Sequence, residues 1–140
     1  MTDASQGPDS GLTPHLQIGN GQAAEAIAFY AHAFGATELA RMPADDGKRL
    51  MHAHVLINGS SLMLHDEFPE YIDPADDDSG SPRGLTLHLQ VDDADAWFDR
   101  AVAAGATVKM PIADQFWGDR YGQVADPFGF RWSIGATLKS

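Results

Sequence analysis

The chain has 140 residues, of which 44% are hydrophobic and 21% charged, and it contains no cysteine. That is enough for one globular domain, and it excludes a disulfide framework, a thiolate metal centre and a cysteine nucleophile. Twenty acidic residues against nine basic ones leave a net charge of −11, which argues against nucleic acid and anionic membrane surfaces as partners. No apolar run approaches the roughly 20 residues of a membrane span. The polar first residues lack the basic and apolar regions of a secretory signal, so a cytoplasmic protein is expected.

Residues 1–12, with Gly7, Pro8, Ser10 and Gly11, offer little to bury and read as a disordered tail. A strand is expected over Thr13–Ile18, then a helix over Ala23–Phe34 with Ile27, Tyr30 and Phe34 on one face. Gly35 supplies its left-handed stop. Strands follow at Glu38–Met42, Arg49–Ile57 and Ser61–His65, the last two joined by a tight turn at Asn58-Gly59. Residues 68–84, with Pro69, Pro74, Asp76-Asp77-Asp78 and Pro82, form an acidic linker or lid. Seven of the acidic residues fall between Asp66 and Asp78, so much of the net charge is local.

The pattern then repeats. Thr86-Leu87-His88-Leu89-Gln90-Val91 matches Thr13-Pro14-His15-Leu16-Gln17-Ile18, and Gly105-Ala106-Thr107 matches Gly35-Ala36-Thr37 after a second helix over Ala94–Ala104. Asp92 and Asp93 are candidate caps for that helix. Further strands are expected at Thr107–Met110, Gln123–Asp126 and Phe130–Gly135, with Phe116, Trp117 and Tyr121 in a glycine-punctuated loop. The chain thus divides into a module over 13–67, the linker 68–84 and a second module over 85–137, together one structural domain.

Alternation gives each strand an apolar and a polar face. Leu16, Ile18, Leu62, Leu64, Leu87, Leu89, Trp132 and Ile134 fall on the apolar side. His15, Gln17, His65, His88, Gln90, Arg131 and Ser133 fall on the other. Solvent-facing strands carry Lys and Glu more often than His, Gln and Thr, so this polar side reads as a partly enclosed, hydrogen-bonding surface. Trp117 and Tyr121 are placed at its mouth, where a flat or cationic ligand could stack on Trp117. Ligand-binding candidates are therefore His15, Gln17, His65, His88, Gln90, Trp117, Tyr121, Arg131 and Ser133; no catalytic residue is singled out.

The duplicated strand–helix–three-strand unit resembles the vicinal oxygen chelate superfamily, the fold of glyoxalase I, extradiol dioxygenases and bleomycin-binding proteins. The residues that carry the likeness are Ala26-Ile27-Ala28-Phe29-Tyr30…Ala33-Phe34-Gly35-Ala36, Ala103-Ala104-Gly105-Ala106-Thr107-Val108, and Asp126-Pro127-Phe128-Gly129-Phe130-Arg131-Trp132. Phe116-Trp117-Gly118-Asp119-Arg120-Tyr121-Gly122 looks more narrowly like the PhnB-like branch. The resemblance implies an α+β fold: two βαβββ modules forming an eight-stranded, cup-shaped mixed sheet, helices on the outer face, commonly in a homodimer. It also implies metal-ligand positions at Thr13, Met63, Thr86 and Ser133, none a good divalent-metal donor. The expectation is a metal-independent binder of a small organic ligand, with no cofactor. The alternative is a lyase, isomerase or dioxygenase using Zn, Fe, Mn or Ni on an unconventional His15, His65 and His88 set.

Overall fold

The computed structural model describes residues 6–71 and 84–139. In chain order the elements are β1 (His15–Ile18), α1 (Ala23–Phe34), β2 (Thr37–Pro43), β3 (Leu50–Ile57), β4 (Ser60–Asp66), a 3-10 turn (Pro69–Tyr71), β5 (Leu87–Gln90), α2 (Ala94–Ala104), β6 (Thr107–Asp114), β7 (Asp119–Ala125) and β8 (Arg131–Thr137). The fold is α+β, two repeated βαβββ modules, each with its own four-stranded mixed sheet. The described residues form two compact units: those up to 31 with 35–71, and those from 84 onward with the last turn of α1, His32–Phe34. Most of the expected linker, residues 72–83, and the first five residues of the expected tail lie outside the described residues.

In the first unit the strand order is β1-β4-β3-β2, with β1 parallel to β4 and the other pairs antiparallel. Leu16, Ile18, Ala53, Val55, Leu62 and Leu64 are all buried, which places the apolar side of these strands as alternation requires. The β3–β4 turn has Asn58 at φ 50° and Gly59 at φ 82°. These are the two positive angles that a two-residue hairpin with right-handed strand twist needs.

The N-terminus of α1 has no cap from its own sequence, because Gln22 at the cap position makes no side-chain bond. Asp66, at the end of β4, does this work from 43 residues away: its Oδ1 accepts from the Ala23 N–H at 2.8 Å. Its Oδ2 accepts from the Leu50 N–H at 2.7 Å. Asp66 is fully buried, so one carboxylate joins α1, β3 and β4 while lying at the positive end of the helix. At the other end, Gly35 at φ 68° lets its own N–H and that of Ala36 close on Ala31 and Tyr30.

The second unit repeats the order as β5-β8-β7-β6, β5 running parallel to β8. Here the helix is capped locally, Asp93 accepting from Ala96 N at 3.1 Å. α2 packs on β6, β7 and β8. Phe98 and Ala101 are buried on its inner face, and Phe34 lies 4.6 Å, centroid to centroid, from Trp132. Asp126 organises the β7–β8 turn by accepting from Phe128 N, Phe130 N and the Trp132 indole N–H.

Several strands end elsewhere than residue order suggests. β1 starts at His15 rather than Thr13, and β6 and β7 extend to Asp114 and from Asp119, so most of the expected loop is a hairpin. Pro111 is tolerated because β6 is an edge strand whose register shifts between Met110 and Ala113. Gly122 is inside β7 because a side chain there has no room: a Cβ would lie 2.9 Å from Met110 O and from Phe98 Cε2.

Two stability predictions follow from these contacts. Asp66→Ala leaves two backbone donors without their buried acceptor and is expected to lower unfolding free energy by about 2–4 kcal/mol in urea denaturation. Gly122→Ala is expected to cost about 1–3 kcal/mol through overpacking, with no loss of helix content in circular dichroism.

Candidate functional site

The parallel pairing of β5 with β8 puts His88 opposite Ser133 and Gln90 opposite Gly135. The antiparallel pairing of β8 with β7 adds Gln123 opposite Ser133, Tyr121 opposite Gly135 and Asp119 opposite Thr137. Side chains at these registered positions share the polar face of the second sheet, opposite Trp132 and Ile134. They bond across it. His88 Nδ1 is 2.7 Å from Ser133 Oγ, and His88 Nε2 is 2.7 Å from Gln90 Oε1. Gln90 Nε2 in turn faces Asp119 Oδ1 at 3.5 Å and Thr137 Oγ1 at 3.4 Å.

The chemistry of each atom orients this run. The Asp119 carboxylate can only accept, so it takes the Gln90 amide N–H and turns the amide oxygen toward His88. That oxygen accepts in turn, so the neutral His88 ring carries its proton on Nε2. Nδ1 then receives the Ser133 hydroxyl proton. Asp119 Oδ2 also accepts from the Trp117 indole N–H at 3.1 Å. A second chain runs from Arg131 through the Gln123 amide, at 3.2 Å, to the Tyr121 hydroxyl, at 3.0 Å.

The rings complete the surface. His88 and Tyr121 are nearly parallel, 21° between planes and 5.9 Å between centroids, while Trp117 meets Tyr121 edge-on at 5.2 Å. His88 and Tyr121 lie over Gly135, where a Cβ would come within 3.1 Å of His88 Cε1, 3.3 Å of Gln90 Oε1 and 3.5 Å of Tyr121 Cδ2. Glycine at this position keeps the floor low enough for the imidazole and amide to lie across it. Trp117 is 48% exposed and Phe116 97%, both at the β6–β7 turn, so neither caps the core.

Of the nine expected residues, the second unit therefore brings together His88, Gln90, Trp117, Tyr121 and Ser133, with Arg131 attached through Gln123. His15, Gln17 and His65 belong to the first unit. There β1 pairs with β4, His15 opposite Met63 and Gln17 opposite His65. The His15 and His65 rings meet edge-on at 5.0 Å, with His52 at 6.3 Å from His15. His65 Nδ1 donates to the Asp66 carbonyl at 2.7 Å, and His52 Nε2 bonds the Gln6 carbonyl. Asp119, Gln123, Gly135 and Thr137 were not foreseen. The period-2 pattern of 119–125 could have shown the first two, had Gly118 and Gly122 not read as loop.

The four positions that correspond to family metal ligands do not fit a divalent ion. Thr13 and Thr86 flank their strands, Met63 offers only a thioether, and the Ser133 hydroxyl is bonded to His88. Among the described residues no group of three or more His, Asp or Glu is arranged to hold a metal; of the alternative set, His15 and His65 lie in the first unit and His88 in the second.

Desolvation of its ring, then the charges of His65 and His52, holds the His15 pKa below the usual value of 6.5. The unfolded chain therefore binds the proton more readily than the folded one. Stability contributed by neutral His15 is present above 6.5 and lost as pH falls toward the lower folded value. His15→Gln is expected to flatten the fall in urea midpoint between about pH 7.5 and about pH 5.5.

Three comparisons agree with this architecture. The uncharacterized protein Rv0887c of Mycobacterium tuberculosis is 49% identical over 130 residues, covering 91% of this chain and 75% of that protein. The crystal structure of PA1353 from Pseudomonas aeruginosa is 28% identical with a TM-score of 0.74, covering 94% of this chain and all of that one. A PhnB protein from Bacillus cereus shares the fold at 20% identity and a TM-score of 0.72, covering 91% of this chain and all of that one. Residues 13–134 match the family described as the Glyoxalase/Bleomycin resistance protein/Dioxygenase superfamily, and with the repeated βαβββ module this chain belongs to that superfamily.

Proposed function

We propose that the polar face of the second sheet binds a small, flat organic ligand without a metal ion, its aromatic or cationic part lying against Trp117 and Tyr121. One observation carries the reading: the run Asp119–Gln90–His88–Ser133 sets the donor and acceptor directions of Gln90, His88 and Ser133 on a polar sheet face floored by Gly135. Polar groups whose orientation is set before binding lose little freedom when a ligand arrives. Half-exposed Trp117 beside them supplies apolar area. Asp119 forms no ion pair among the described residues, which leaves a negative charge next to the indole and suits a cationic substituent. A metal-dependent lyase, isomerase or dioxygenase would need a donor set that the described residues do not assemble.

The homodimer and the cytoplasmic location belong to the same proposal. The first is supported by the Phe116 ring, almost wholly exposed at the hairpin tip, surface that a second copy would cover. The second rests on the cysteine-free composition.

A thermal-shift screen of flat heteroaromatic compounds, run with and without EDTA, tests the binding site. Ligands are expected whose stabilisation survives chelation and whose affinity falls about tenfold in Trp117→Ala and Gly135→Ala. Stabilisation that needs added Zn, Fe, Mn or Ni would overturn metal independence. Ligands indifferent to both substitutions would overturn the location.

A further inference from the structure

The first unit carries a cleft of about 690 Å³ at the end of its sheet, lined by Ala44, Asp45, Asp46, Arg49, Met51, His65, Phe68 and Tyr71. A volume of a few hundred Å³ is the size range of small-molecule sites. Its walls leave large apolar groups open to solvent: Tyr71 is 83% and Met51 57% accessible. Phe68 and Tyr71 lie 6.4 Å apart, centroid to centroid, and Met51 adds a flexible thioether suited to irregular shapes.

The rim is charged, and its charges do not cancel. Arg49 is fully engaged: Nε binds Asp46 at 2.8 Å, the two terminal nitrogens bind Glu70 at 2.9 and 2.6 Å, and the guanidinium lies 4.4 Å over the Phe68 ring. Asp46 is pulled down to about 2 by the Lys48 N–H and by Arg49, so it is ionised at any ordinary pH. Asp45, Asp46 and Glu70 outnumber Arg49 and the neighbouring Lys48 by one charge, and Asp45 forms no ion pair among the described residues. The rim is thus net negative. At its edge His65 spends its Nδ1 proton on the Asp66 carbonyl, so the neutral ring has Nε2 left as an acceptor.

Apolar walls, a negative rim and an imidazole acceptor select one chemistry. We propose that this cleft binds a lipophilic ammonium, a protonated organic amine with an apolar aromatic body. The body lies between Met51, Phe68 and Tyr71, and the ammonium sits toward Asp45 and His65. A carboxylate ligand would meet the rim's repulsion and find Arg49 already held by two carboxylates. A neutral ligand would gain the walls alone. The cleft is built from residues of the first unit, and the polar face proposed above from residues of the second.

Three fluorescent probes that share one aromatic group and differ in charge test the assignment on the intact chain: dansylcadaverine (cationic), dansylamide (neutral) and dansylglycine (anionic). Dansylcadaverine is expected to bind about tenfold more tightly than dansylamide, and dansylglycine most weakly. The preference should shrink at high salt, because the rim is exposed. Asp45→Asn should reduce the cationic preference several-fold while leaving dansylamide unchanged, and Tyr71→Ala should weaken all three. Both side chains are exposed, and neither substitution removes a buried contact. Equal affinity for the cationic and neutral probes overturns the proposal. So does cationic binding that persists unchanged in both variants.

Discussion

Parallel pairing between the first and last strand of each module is the constraint on which the rest depends. A strand, a helix and three strands could be arranged in several ways. Laying β1 beside β4 and β5 beside β8 fixes the register between segments 45–48 residues apart in sequence. Because side chains alternate, a slip of one residue would send His88 and Gln90 to the apolar side and Leu89 to the polar one. The pairing of His88 with Ser133 and of Gln90 with Gly135 therefore exists only in this register. So does the meeting of His15 and His65.

The two modules solve the same folding problem with different parts. In the first, the helix start is satisfied by a carboxylate arriving from the end of β4, which makes helix, hairpin and final strand depend on one another. In the second, Asp93 caps the helix from within, and Ala136 near the end of β8 has only packing to do. The polar faces have diverged as well. The first gathers His15, His52 and His65, where burial and then the two neighbouring imidazoles disfavour the charge of His15, and the second spreads serine, histidine, glutamine, tyrosine and aspartate into a directional network.

Much of this was legible from residue order. The repeated Thr-x-His-Leu-Gln, the Gly-Ala-Thr after each helix and Asn58-Gly59 are local signals, each with a backbone or alternation requirement behind it, and the structure places them where those requirements say. The hairpin of β6 and β7 was not legible, because Pro111, Gly118 and Gly122 are individually turn-like. Pro111 survives on an edge, and Gly122 answers to the Phe98 ring, a contact no local pattern displays. Asp66 looked like an acidic residue leading into the linker. Its burial and its two backbone partners depend on tertiary approach, as does the need for a bare Cα at Gly135.

The outer strands β2 and β6 bear on how this chain can associate. Each lies at the margin of its sheet, each breaks register along its length, and each contains a proline, Pro43 and Pro111, without an N–H to offer. Such a margin is a poor template for an incoming strand. Through β2 or β6, contact between copies would have to be made by side chains, as a separable interface, rather than by growth of a continuous sheet.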